Sequence, residues 1–320
     1  MKKHLKNRLL MLGIAILSLT PSLIYSDSFI NRALDIGYIG MTMLQDGLYS
    51  ISSQVFNGHV SSRTGSQSTM MLKGYIGYVP QAVADLVAQI RSADAYAKMG
   101  VELTKGIIFY GSPGSGKTHL ARAISWEIGC PFIPANAADF KQSLVGLGKD
   151  AVVNLFAQAR EAAANHASKV AIIFIDEFDA VGTRNTHDQD GGISEVVNTL
   201  LSEMDGFNKQ NEIHIVVIAA TNFLERIDPA LTRSGRFDYK VYVPYPDAKA
   251  RRLFIVNFLR KYPSDLNISV SNLVKQTYGM SPADIVLLFD LAGRVAVRSG
   301  KSVRDSVCFD EALSQLRARR

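Results

Sequence analysis

The chain has 320 residues, 47% of them hydrophobic, enough to bury one or two substantial cores, and its length suggests about two domains rather than a small stapled peptide. Its two cysteines, Cys130 and Cys308, stand far apart with no CxxC pair and no Cys/His cluster at zinc spacing, which excludes a disulfide framework and reads as two buried, reduced thiols. The net charge of +6 comes from the ends, through Lys2, Lys3, Lys6, Arg8, Arg317, Arg319 and Arg320, so the body is close to neutral and no basic groove for nucleic acid is expected.

The first element is a basic head, "MKKHLKNR", followed by the uncharged run "LLMLGIAILSLTPSLIY" from Leu9 to Tyr25. At about 1.5 Å per residue that run reaches roughly 25 Å, a little short of a ~30 Å hydrocarbon core. Residues 1–26 therefore read either as a cleaved signal peptide, with Pro21 and Ser26 near the cut, or as a membrane anchor. "FINRALDIGYIGMTMLQDGLYSISSQVF" has apolar residues at helical spacing but carries Arg32, Asp35 and Asp46, so it predicts an amphipathic segment rather than a span. "NGHVSSRTGSQST" is rich in Ser, Gly and Thr without periodicity, which marks a linker. Residues 27–73 are thus an amphipathic segment and linker, with a domain boundary at their end.

The next apolar run, "KGIIFYG", predicts a strand, and "THLARAISWEI" predicts a helix. Between them stands "GSPGSGKT", Gly111, Ser112, Pro113, Gly114, Ser115, Gly116, Lys117 and Thr118, which matches G-x-x-x-x-G-K-[ST] in the strand-to-helix setting that motif needs. Glycines let backbone N–H groups turn toward a polyphosphate, and the helix start adds positive dipole. Lys117 is placed to reach the β- and γ-phosphates and Thr118 to hold Mg2+. "KVAIIFIDEFDAVG" predicts a second strand that delivers Asp176 and Glu177 at its C-terminal edge, where ligands bind in an open parallel sheet. Asp176 suits the Mg2+ shell and Glu177 the activation of a water. "IHIVVIAATN" ends a third strand on Asn222, whose amide can contact water and γ-phosphate. "DPALTRSGRFD" then sets Arg233 and Arg236 three apart among turn residues, suited to stabilising a transferred phosphoryl group from a neighbouring subunit.

With these motifs in this order, the chain resembles the AAA+ ATPases, within them the AAA clade, and in particular the ATPase module of the FtsH family of membrane-anchored AAA proteases. The resemblance covers Gly74 to Arg320, about three quarters of the chain. "GSPGSGKT" looks like Walker A, "IIFIDEFDAVG" like Walker B and "AATN" like sensor 1. "LLSEMDGF" looks like the stretch with intersubunit signalling residues, Asp205, Gly206 and Phe207, and "DPALTRSGRFD" implies arginine fingers at Arg233 and Arg236. "YIGYVPQAVADL" implies that Ile76 and Gly77 close over adenine, and His119 and Ala283 are implied near the nucleotide. The implied fold is α/β: a P-loop NTPase domain with a five-stranded parallel sheet at 74–246, then a small helical lid at 247–320. ATP and Mg2+ are the implied cofactors, and a homo-oligomeric ring, usually a hexamer, is the implied assembly.

Two positions depart from the family pattern. The pore loop, "DFKQSLVGLG", has Leu144, Val145 and Gly146 where an aromatic residue is usual, and leucine offers less flat surface for gripping a polypeptide. In the lid, "YGMSPADI" carries Pro282 where glycine is usual; proline fits a first helical turn. None of the six histidines is followed by Glu, so no H-E-x-x-H zinc motif occurs and proteolysis would have to come from a partner. "GTRNTHDQDGGI", 182–193, is expected to form a second loop facing the pore.

The reading is an ATP-hydrolysing ring protein that remodels proteins, at a membrane if residues 9–25 are retained. Its rivals are a nucleic-acid motor or loader, which DNA-stimulated turnover would favour, and a membrane-tethered nucleotide-binding scaffold. The basic head predicts export of the remainder, whereas an ATPase needs a compartment containing ATP; anchor and cleaved signal lead to different locations.

Overall fold

The computed structural model describes residues 72, 75–142, 147–181, 192–206, 213–233 and 235–319. Every described residue belongs to one compact unit, Ser68–Arg320.

Helices α1 (Gln81–Arg91) and α2 (Ala93–Lys98) lead into strand β1 (Gly106–Tyr110), helix α3 (Lys117–Ile128), strand β2 (Phe132–Asn136) and helices α4 (Ala137–Gln142) and α5 (Leu147–Ala164). Strand β3 (Val170–Asp176), helix α6 (Gly192–Gly206), strand β4 (His214–Thr221) and strand β5 (Phe237–Tyr242) complete the α/β part. All strand pairs are parallel, in the order β2-β3-β4-β1-β5; the five-stranded parallel sheet is the one the family resemblance implied. Parallel strands covered on both faces read as unbroken apolar runs, which is why "GIIF", "VAIIFI" and "IVVIAA" are so uniform.

Alternate residues of those runs serve two separate cores. Ile108, Ile173, Ile175 and Val217 face α5 and α6, where Phe156 and Met204 close the layer. Ile107, Phe109, Phe174 and Val216 face α1 and α3, against Leu86 and Ile124. Each such side chain, fully buried, stabilises the fold by about 1.5–3 kcal/mol. Cys130 is half-buried rather than enclosed, because it sits on the turn after Gly129, which ends α3 in the left-handed conformation.

The C-terminal helices, α7 (Ala248–Lys261), α8 (Val270–Gln276), α9 (Pro282–Arg298) and α10 (Ser306–Arg317), carry a third core around Ile255, Leu288, Phe289 and Phe309. Their starts are set by side-chain caps. Asp247 accepts from Ala250 N at 2.7 Å. Ser281 and Asp284 form a reciprocal capping box with Pro282 at the first helical position, so proline starts α9 rather than breaking it. No helix of the described residues is long and apolar enough to cross a membrane, and residues 9–25 lie outside them.

Candidate active site

Parallel strands bring their C-terminal ends to one edge, and register decides which residues meet there. Tyr110 pairs with Thr221 and Asn136 with Asp176. The edge therefore collects the end of β1 and its glycine loop, the acidic end of β3, the end of β4 and the end of β2.

The loop from Gly111 to Gly116 joins β1 to α3. At Gly111 (φ 147°) a Cβ would lie 2.5 Å from the Val243 carbonyl oxygen, so no larger residue fits the exit from the strand. Lys117 opens α3 with its side chain buried, and its Nζ donates to Gly111 O at 2.8 Å, Ser112 O at 3.2 Å and Asn222 Oδ1 at 2.7 Å. Burial lowers the Lys117 pKa, and the nearby carboxylates of Asp176 and Asp179 oppose that shift. The Ser115 hydroxyl is buried without a hydrogen-bond partner among the described residues, an orphan donor that a phosphate oxygen would satisfy.

Next to the lysine, Thr118 Oγ1 donates to Asp176 Oδ2 at 3.1 Å. A hydroxyl and a carboxylate together make the hard-oxygen set that suits Mg2+. Glu177 follows in the left-handed conformation (φ 51°), and its N–H donates to Asp176 Oδ1 at 2.9 Å. A non-glycine residue held there stores backbone strain, which clusters at functional sites. Its carboxylate is steered from β2: Asn136 Nδ2 donates to Glu177 Oε2 at 3.2 Å, while Asn136 Oδ1 accepts from Ala138 N at 2.8 Å. Thr221 Oγ1 donates to Asp179 Oδ1 at 2.7 Å and accepts from Phe223 N at 2.9 Å, which fixes the chain just past β4 where Asn222 stands. Sequence reasoning did not single out Asn136 or Asp179. Asp179 was within reach, two residues after Glu177 in "DEFD"; Asn136 had no local signal.

The remaining residues lie around this centre. His119 is in the first turn of α3, its ring 6.0 Å from that of Tyr75 and 6.1 Å from that of Trp126. Burial of Tyr75 pushes its phenol up to about 12. Ile76 and Gly77 are half-buried just before α1. Ser112, Pro113, Asn222 and Tyr242 line a cleft of about 840 Å³ beside the loop. Ala283, at the start of α9, approaches the loop at Gly114, where a Cβ would lie 3.2 Å from that of Ala283.

The two arginines differ. Arg233 is exposed and makes no ion pair among the described residues. Arg236 is tied within its own chain, to Asp205 Oδ2 at 3.0 Å and Ala230 O at 3.0 Å. Leu144, Val145, Gly146 and Phe207 lie outside the described residues, as does all but the last two residues of the loop 182–193.

The model of the "ATPase family associated with various cellular activities (AAA)" matches residues 107–245. The chain is 40% identical over 225 residues to ATP-dependent zinc metalloprotease FtsH 2 of Thermoanaerobacter sp. (strain X514), covering 70% of this chain and 42% of that protein. It is 38% identical over 231 residues to FtsH 1 of Bdellovibrio bacteriovorus, with 71% and 35% covered. The FtsH of Streptococcus pneumoniae is 39% identical over 235 residues, with 72% and 35% covered. The chain thus spans less than half the length of these curated relatives.

Proposed function

We propose that the chain, whose residues 107–245 match the AAA family of ATPases, binds and hydrolyses ATP as a subunit of a homo-oligomeric ring, most simply a hexamer, that remodels protein substrates. One observation carries the reading: Lys117, Thr118, Asp176, Glu177 and Asn222 converge at a single sheet edge, joined by hydrogen bonds of 2.7 to 3.1 Å.

In this reading the loop N–H groups and Lys117 hold the triphosphate, and Ile76, Gly77, His119 and Ala283 flank the nucleoside. Thr118 and Asp176 would hold Mg2+, which when bound draws negative charge from the β- and γ-phosphates. Glu177, aimed by Asn136, orients a water and takes its proton, and Asn222 links the ammonium of Lys117 to the end of β4. Arg233 supplies its guanidinium to the neighbouring copy. Arg236 can do so only by leaving Asp205, which ties the finger loop to the end of α6.

The relatives are named as proteases, and the protein substrate proposed here rests on that kinship. Leu144, Val145 and Gly146 are the proposed contact with the moving polypeptide, and residues 9–25 the proposed membrane attachment.

Two variants of the full chain test the reading. Lys117→Ala should abolish nucleotide binding, and retention of wild-type affinity would overturn the site. Glu177→Gln should bind ATP normally and lose hydrolysis; an unchanged rate would point instead to a nucleotide-binding scaffold. Full-speed hydrolysis by a protein that stays monomeric with nucleotide present would refute the ring.

A further inference from the structure

We propose that Tyr245 is a positioning residue through which the C-terminal helices set the direction of one phosphate-facing N–H group, that of Gly114. The inference rests on reading 111–118 as a nucleotide loop.

The segment 243–247 connects β5 to α7 and runs against the loop along its length. Val243 N donates to Tyr110 O at 2.8 Å, and the Val243 carbonyl fills the space at Gly111. Two residues on, Tyr245 Oη donates to Pro113 O at 3.3 Å, a contact between residues 132 positions apart. A trans peptide unit is planar, so the Pro113 carbonyl and the Gly114 N–H point in opposite directions. Proline brings no N–H of its own, and the 113–114 peptide supplies the donor at this point of the cradle. Whatever fixes the carbonyl outward therefore aims that donor inward.

The same peptide is approached from a second direction. At Gly114 (φ 72°) a Cβ would lie 3.2 Å from both Ser281 Oγ and the Ala283 Cβ, at the capped start of α9. The connecting segment is also fastened to the helices: Arg251, buried on α7, donates to Pro246 O at 3.0 Å and to Val274 O at 3.3 Å on α8. A rotation of these helices must carry Pro246 with it, and with Pro246 the adjacent Tyr245. The path runs from α7 and α8 through Pro246 and Tyr245 to the Pro113 carbonyl, and from there to the N–H of Gly114. The phenol hydroxyl is the single polar atom that Tyr245 contributes, so its removal isolates the effect.

The experiment uses the full chain and a fluorescent ADP analogue, following its release by stopped flow alongside ATP KM, kcat and thermal melting. Tyr245→Phe should release the analogue about fivefold faster, the effect of one neutral hydrogen bond, and raise KM by a similar factor with the melting temperature unchanged. Tyr245→Ala should do the same to release if the hydroxyl is the operative atom. Wild-type release from Tyr245→Phe overturns the proposal, and so does a loss confined to Tyr245→Ala, which would assign the role to ring packing. Lys117→Ala run in parallel separates the two readings: if it still holds the analogue at wild-type affinity, the nucleotide site itself is wrong, whereas loss of binding there with a silent Tyr245→Phe removes only the tether.

Discussion

Asn136→Asp is the sharpest perturbation of the site, because the substitution keeps one function of the side chain and inverts the other. Aspartate can still accept from Ala138 N and so preserve the start of α4. The donor to Glu177 Oε2, however, is replaced by a carboxylate at a starting separation of 3.2 Å. Two unit charges at that distance repel by about 1 kcal/mol with water-like screening and about 5 kcal/mol at an effective dielectric of 20. Glu177 is exposed and Asn136 half-buried, which places the effect toward the lower figure. With about 1.4 kcal/mol per factor of ten, kcat should fall roughly tenfold, since the carboxylate that takes the proton of water is pushed off its line. Nucleotide affinity, set by Lys117 and the loop, should change by less than about twofold. Phosphate release measured over an ATP titration, with binding measured separately on the same preparations, gives both numbers. Unchanged kcat, or a loss of affinity equal to the loss of rate, would refute the assignment of Asn136 as the group that steers Glu177.

Acid should weaken the fold through His214, whose burial, the dominant cause, lowers its pKa to about 4 while its ring bonds Thr104 O at 3.2 Å. Below its ordinary value of 6.5 the unfolded chain takes up the proton first, so this stabilisation is complete above pH 6.5 and lost as pH falls to about 4; in His214→Gln the difference in melting temperature between pH 7 and pH 5 should shrink. Arg236→Ala removes an ion pair whose carboxylate is half-exposed and whose guanidinium is 22% exposed; at the ~0.2–1 kcal/mol of a surface pair melting should barely move, and a large fall would show that the pair is structural. If Arg233 acts across an interface, Arg233→Ala chains mixed with Lys117→Ala chains should recover ATPase activity that neither has alone, because mixed interfaces pair an intact loop with an intact arginine. Phe174, 1% exposed and stacked on Phe132 with ring centroids 5.7 Å apart, should cost about 3–5 kcal/mol when truncated to alanine, read as a lower denaturant midpoint at constant slope.

What was legible in the sequence is what is local. An apolar run covered on both faces, a glycine loop entering a helix and a pair of acids closing a strand each announce themselves within a dozen residues, and three of the five strands, β1, β3 and β4, with Lys117, Asp176, Glu177 and Asn222 at their ends, follow from such signals, while β2 and β5 were expected only through the family resemblance. What was not legible depends on which distant segments the strand order makes neighbours. Nothing in "FIPAN" says that Asn136 meets Glu177; that follows only once β2 lies beside β3 with Asn136 opposite Asp176. Tyr245 stands in the segment between β5 and α7, and its hydroxyl finds Pro113 only because β5 lies beside β1 and ends level with it, Tyr110 opposite Tyr242. Arg236 is the instructive case. Spacing alone made it the twin of Arg233, yet the chain folds Asp205 against it, and an arginine that must leave one carboxylate before it can serve a neighbour's phosphate carries a condition its twin does not. The pattern of a motif names the residues able to do the chemistry; the register of the sheet decides which of them are held, and by what.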